Sequence, residues 1–152
     1  DKKIVSVPTV DALAYNLWGS DAVICPLMDA RRNQVYTGLY QFENGEMQTI
    51  EGQCVVMIDE IVEKINALGR TVVFLGDGVP VFRNYLEENL SVDHRYAPAS
   101  MNKQRAASVA CLGAILAKAG KEEEARDHKP EYLRVSQAER ERQEKERDFK
   151  IC

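Results

Sequence analysis

The residues best suited to chemistry lie in the stretch PLMDARRNQVYTGLY, Pro26 to Tyr40. Val23 to Met28 is an apolar run too short for a globular helix, and Val35 to Tyr40 is rich in strand formers, so Asp29 to Gln34 reads as the loop of a hairpin. Asp29, Arg31 and Arg32 would then sit at its tip. A carboxylate and two guanidinium groups held by two rigid strands suit the binding of a phosphate or a partner's carboxylate. An ordinary solvated turn with one local ion pair fits the same residues. The second candidate is Gly76, Asp77 and Gly78, directly after the apolar run Thr71 to Leu75. Amide groups of a glycine turn beside a helix start can cradle an anion, and a plain strand-to-helix turn is the competing reading.

Other chemistries find little support. The two histidines, His94 and His128, lack HxxxH or HExxH spacing, which excludes a zinc-protease signature; each reads as a surface residue. Cys25, Cys54, Cys111 and Cys152 are scattered without a CxxC pair. None has a basic neighbour that would lower its pKa, so buried structural thiols in a reducing cytoplasm are expected. Tyr36, Tyr40 and Phe42 alternate along one predicted strand, as cross-strand packing requires, although base stacking uses the same residue types.

The elements that must position these groups follow from periodicity. Ile4 to Val7 reads as a strand end, and Thr9 as the N-cap of a helix carrying Val10, Leu13, Ala14, Leu17 and Trp18 to a stop at Gly19. After the hairpin, Asn44-Gly45 marks a second tight turn and Met47 to Val56 a third strand, completing an antiparallel meander. Ile58, Ile61, Val62, Ile65 and Leu68 repeat at helical spacing up to Gly69. Thr71 to Leu75 has the continuous apolar character of a strand covered on both faces. A helix over Phe82 to Leu90, an edge strand near Val92 to Ala97, and a helix from Gln104 to Ala119 with Ala107, Cys111, Ala114 and Ile115 at close-packing positions complete the pattern. The order β, β, β, α, β, α, β, α predicts an α/β unit: a mixed five-stranded sheet with helices on both faces.

Residues 1–20 then form a connecting strand end and helix, 21–120 the main lobe, and 121–152 a charged extension. Within that extension Pro130 to Val135 forms a strap with Tyr132 and Leu133 as anchors, and Glu139 to Lys150 is almost wholly charged. The 152 residues suffice for one domain, and their formal charge of −4 argues against a chain that holds nucleic acid by itself. No segment is long and apolar enough to span a bilayer, so a soluble protein without membrane partners is expected. The start at Asp1, inside a strand pattern, gives the expectation of a fragment or processed product.

Four segments in order, VPTVDALAYN, the hairpin PLMDARRNQVYTGLY, FLGDGV and KPEYLRVSQAE, resemble the bacterial TsaB (YeaZ) family of tRNA threonylcarbamoyladenosine biosynthesis proteins, related to the M22 glycoprotease-like group. The resemblance extends to about Glu139. It implies the second, RNase H-like lobe of an actin, sugar-kinase and Hsp70 (ASKHA) type fold. The family's ILxIDTS and GPGSFTGLR-like segments do not occur in this sequence, so the first lobe is expected to be missing. In the wider superfamily the places of Asp29, Arg31, Arg32 and of Gly76, Asp77, Gly78 approach nucleotide phosphates. The resemblance further implies a noncatalytic scaffold working with a TsaD-like paralogue, which transfers the threonylcarbamoyl group to adenosine 37 of tRNA, and a TsaE-like ATPase. It implies homodimerisation of the full-length protein, tRNA contact only through the complex, and no cofactor in this chain, with ATP and a metal ion on the partners. An ATP-binding or hydrolytic member of the same superfamily, and an interaction domain with an unrelated partner, are the alternatives.

Overall fold

The computed structural model describes residues 2–134. Strand β1 spans Lys3–Val5, β2 Val23–Asp29, β3 Gln34–Glu43, β4 Glu46–Met57, β5 Val72–Leu75, β6 His94–Tyr96 and β7 Glu122–Glu124. Helix α1 spans Thr9–Ala14, α2 Ile58–Leu68, α3 Val79–Asn89 and α4 Ala106–Lys118, and a 3-10 turn, Tyr15–Leu17, continues α1. The five strands of the main sheet lie in the order β4-β3-β2-β5-β6. The meander β2-β3-β4 is antiparallel, whereas β5 joins β2, and β6 joins β5, in parallel. The mixed five-stranded sheet is thus the one read from the sequence.

Each face of the sheet has its own core. Val23, Cys25, Leu27, Val35, Leu39, Val72 and Phe74 face α2 and α3, meeting Ile58, Ile61, Val62, Ile65, Phe82 and Leu86. Ile24, Tyr40, Val73 and Leu75 face the other way, against Val10, Leu13 and Ala14 of α1. Both alternate sets of β2 and β5 are therefore buried, which explains why those strands read as unbroken apolar runs. The β3-β4 turn places Asn44 and Gly45 at φ 53° and 82°, the left-handed pair that a tight hairpin needs. Gly69 closes α2 in the left-handed conformation, at φ 63°.

Several expectations require correction. Pro8, not Thr9, occupies the N-cap of α1, and no side chain caps that helix. Helix α4 turns Ser108 and Leu112 inward, while Ala107, Cys111, Ala114 and Ile115 are exposed. A helix apolar on every side has no periodic signal to choose its face. The choice is made by Ser108 Oγ donating to Asn16 Oδ1 at 2.7 Å and by Gly113 lying against Val7. Cys111 is consequently an exposed thiol; Cys25 is buried, its pKa pushed up to about 12 by desolvation, and Cys54 is half-buried. His94 is not a surface residue: its ring packs edge-on to Phe74 and Tyr96 and meets Glu87 at 3.3 Å. Strand β7, within the charged extension, has no strand signal in Glu-Glu-Glu; pairing with β1 (Val5 opposite Glu122, Lys3 opposite Glu124) imposes it. Residues 3–5 and 122–124 are thereby zipped together.

Tyr40 is fully buried, and its hydroxyl donates to Asp11 Oδ1 at 2.6 Å. Burial raises the Asp11 carboxyl above its ordinary range; the Tyr40 hydroxyl works against that shift and Glu131 adds to it. The folded state therefore holds the Asp11 proton more tightly than the unfolded chain, and this group's contribution to stability falls as pH rises from the ordinary carboxylate pKa through the raised one. Asn at this position still accepts from Tyr40. Asp11→Asn is expected to match the wild type in urea denaturation near pH 3 and to exceed its stability at pH 7; a lower stability at pH 7 would contradict the sign.

Candidate functional site

The hairpin loop is a short left-handed turn. Arg31, Arg32 and Asn33 have φ of 64°, 54° and 58°, a conformation that disfavours each non-glycine residue by roughly 1–2 kcal/mol. Local contacts hold it. Asp29 Oδ1 accepts from the Arg31 amide at 2.8 Å while its Oδ2 meets the Arg31 guanidinium at 2.9 Å. Ala30 N donates to Gln34 O and Gln34 N to Arg31 O, at 2.9 and 3.0 Å, and the Asn33 carbonyl accepts from Ile58 N, at 2.9 Å, fixing the loop to the start of α2. From the opposite side the Arg134 guanidinium donates to the Ala30 carbonyl. Asp29 is thus engaged with Arg31, as in the ion-pair reading, and Arg32 extends exposed from a rigid loop.

The glycine turn lies against the base of this hairpin. Gly78 N donates to Leu27 O at 2.9 Å, and a Cβ on Gly78 would lie 3.2 Å from Asp29 N. Gly76, at φ 113°, has no room for a side chain: its Cβ would fall 2.1 Å from Leu27 O. The structure therefore brings both candidate segments together, at the carboxyl ends of the parallel strands β2 and β5, where open α/β sheets form their crevices. The amides are engaged internally, however. Gly76 N donates to Asn102 Oδ1 at 2.7 Å, Gly78 N to Leu27 and Val79 N to Gly76 O, while Pro80 lacks a donor. Of the turn, the Asp77 side chain remains exposed.

Two contributors were not singled out from the sequence. Asn102 fixes Gly76, and Asn16 donates from Nδ2 to the carbonyls of Met101 and Lys103 at 2.8 and 2.7 Å, so the loop before α4 is tied to both α1 and the glycine turn. The polar run Asn102 to Arg105 between Pro98 and an apolar helix was the available signal. In the strap, Tyr132 is not an anchor: it is 82% exposed. Leu133 and Arg134 are half-buried, and Gln53 Nε2 donates to Glu131 at 2.9 Å. The strap borders a cleft of about 220 Å³ whose other walls include Val10, Met28 and Tyr36. Val135 and the segment Glu139 to Lys150 lie outside the described residues. His128 Nδ1 lies 2.9 Å from the Glu123 carboxylate and 3.1 Å from the Ser6 hydroxyl, joining the extension to the β1 end. Among the described residues no three His, Cys, Asp or Glu side chains converge on a point that could hold a metal ion, and no helix is long and apolar enough to cross a membrane.

Residues 1–142 match the family model described as TsaD, tRNA N6-adenosine threonylcarbamoyltransferase. The chain belongs to this family. Within it the sequence is TsaB-like: it is 34% identical over 142 residues to the tRNA threonylcarbamoyladenosine biosynthesis protein TsaB of Bacillus subtilis strain 168. That alignment covers 91% of this chain and 59% of the Bacillus protein, so the chain spans about three-fifths of that relative. Among solved structures, a Pseudomonas aeruginosa protein with similarity to peptidase YeaZ superposes with a TM-score of 0.66 at 24% identity, covering 84% of this chain and 57% of that one. YeaZ from the same organism gives 0.65 at 22%, covering 86% and 60%. These likenesses assign the fold: ASKHA-type, with the RNase H-like sheet described above.

Gly76→Ala should be among the most damaging single changes available, losing at least about 3 kcal/mol or failing to fold, since backbone must move to admit a methyl group. Gly120→Ala shares a positive φ, 74°, but faces open space, and should lose only about 1–2 kcal/mol. Urea titration of both variants measures the difference; equal losses would show that φ, not the Leu27 contact, sets the requirement.

Proposed function

We propose that this TsaB-like chain is a noncatalytic scaffold in the formation of N6-threonylcarbamoyladenosine at position 37 of tRNA. The observation that carries the reading is the 34% identity to TsaB over nearly the whole chain. The site geometry supports a supporting role rather than turnover. The glycine turn, which would have to cradle a phosphate, has its Gly76 and Gly78 amides bonded to Asn102 and Leu27, and Asp29 is engaged with Arg31. In this reading a TsaD-like paralogue performs the transfer and a TsaE-like ATPase assists it. ATP and a metal ion belong to those partners, the chain itself needs no cofactor, and the assembly works in the cytoplasm. Dimerisation and partner contact belong to the full-length protein, which in the Bacillus relative is considerably longer than this chain.

The competing reading, an ATP-binding or hydrolytic member of the same superfamily, draws on one feature, the contact between the glycine turn and the hairpin base. Calorimetry with ATP and magnesium separates the two. The scaffold reading expects no tight nucleotide binding by this chain, whereas tight binding abolished by Asp77→Ala would establish the alternative.

Reconstituted tRNA modification with TsaD-like, TsaE-like and threonylcarbamoyl-adenylate synthase components tests the role itself. Activity should depend on the full-length parent of this chain, and the isolated chain should fold without rescuing it. Full modification in the parent's absence would refute the proposal.

A further inference from the structure

The cleft beside the strap carries charge on its walls that no neighbouring group answers. Its floor is apolar: Met28 and Tyr36 stand opposite each other on β2 and β3 and pack with Val10 of α1. The strap contributes both signs of charge to the lining, through Glu131 and Arg134. Glu131 accepts from Gln53 Nε2 at 2.9 Å but forms no ion pair among the described residues, and it stands near enough to Asp11 to help raise that carboxyl. Arg134 likewise meets no carboxylate among them. One of its terminal nitrogens donates to the Ala30 carbonyl, while its buried Nε has no hydrogen-bond partner there. Although three positions apart on one strap, Glu131 and Arg134 do not join each other.

A buried donor without an acceptor is costly, and each one in a folded protein calls for an explanation. A ligand carboxylate supplies the acceptor that Arg134 lacks, in the planar geometry a guanidinium favours. An ammonium group supplies the cation missing beside Glu131. One molecule brings both when it is a zwitterion, and the apolar floor selects a hydrocarbon side chain. Size narrows the choice further. The cleft holds about 220 Å³, room for about seven waters at liquid volume, which a branched aliphatic amino acid fills and a nucleotide far exceeds. Glu131 also borders a second cleft, of about 520 Å³, lined by His128 and Lys129. There His128 already meets Glu123, and Lys129 does not line the smaller cleft.

We propose that the cleft beside the strap binds a free α-amino acid with an apolar side chain, its carboxylate on Arg134, its ammonium on Glu131 and its side chain on Val10, Met28 and Tyr36. Such a ligand ties the strap to α1 and to the sheet. The site is independent of any role in tRNA modification. For so small a molecule the affinity is modest, with a Kd of about 10⁻⁴ to 10⁻³ M.

The test is ligand-observed NMR titration of the 152-residue chain with L-leucine. 4-Methylpentanoate, which lacks the ammonium, and L-leucinamide, which lacks the carboxylate, should each bind at least about tenfold more weakly. Glycine, which lacks the side chain, should lose at least as much. Glu131→Gln keeps an acceptor for Gln53 and removes the charge: it should weaken L-leucine at least about tenfold and leave 4-methylpentanoate unchanged. Arg134→Gln should weaken L-leucine by a similar factor and leave L-leucinamide unchanged, and Lys129→Gln should bind as the wild type does. Circular dichroism monitors folding; if Arg134→Gln unfolds, the comparison of L-leucine with L-leucinamide on the wild type takes its place. No binding of L-leucine at about 10 mM, ten times the weakest expected Kd, would overturn the proposal. So would equal binding of L-leucine, glycine and 4-methylpentanoate, or an L-leucine affinity unmoved by Glu131→Gln.

Discussion

The Leu27 carbonyl is the point on which this end of the molecule depends. It accepts the Gly78 amide at 2.9 Å and lies where a side chain on Gly76 would have to be. The turn after β5 is thereby pressed onto β2, so the parallel strands end together and α3 begins at a fixed place beside the hairpin. Asn102 extends the constraint by accepting from Gly76 N, which brings in the loop ahead of α4. A single close backbone approach therefore sets the relation of three segments, around residues 27, 76 and 102. Only glycine permits it, because any Cβ at position 76 would overlap the carbonyl oxygen.

That constraint also determines what the glycine turn cannot do. An anion cradle needs several amides converging on an unoccupied point. Here the amides that might converge are directed into β2 and Asn102, so the turn that resembles a phosphate loop in sequence works as a brace. The hairpin shows the complementary arrangement. Three successive left-handed residues, none of them glycine, are unfavourable by roughly 1–2 kcal/mol each, and such a loop persists only when its surroundings over-determine it. Asp29, Ile58 and Arg134 provide that support from three elements. The rigidity is offered to Arg32, whose backbone is fixed while its guanidinium remains exposed.

The main sheet was legible because its signals are local. Apolar runs at Val23 and Val72, alternation at Tyr36, Tyr40 and Phe42, and Asn44-Gly45 each identify an element without reference to the rest of the chain. Both candidate segments of the site were legible for the same reason. What escaped depends on contacts between distant residues. Nothing in Glu122-Glu123-Glu124 predicts a strand until Lys3 to Val5 is beside it. The inward face of α4 is undefined in a helix of alanine, valine, leucine and isoleucine, and becomes defined through Asn16 and Val7, about a hundred residues earlier. The half-buried position of His94 likewise arises from Phe74 and Tyr96, not from its neighbours in sequence.

Net charge is a similar case of a bulk property obscuring a local one. A formal charge of −4 argues against nucleic-acid binding if the charge is spread evenly. At physiological ionic strength a surface charge is screened over about 8 Å, so what an approaching phosphate senses is the arrangement within one such distance rather than the total. In this fold the acids of β7 lie in the ladder with β1, Asp29 is paired and Glu131 hydrogen-bonded, while Asp59, Glu60 and Asp77 stay exposed near the hairpin. Topology, by joining the ends of β2 and β5 with the loop before α4, gathers charges of both signs that the sequence keeps about seventy residues apart. The local balance therefore differs from the total, and the contact that sets it is the one between Leu27 and the glycine turn.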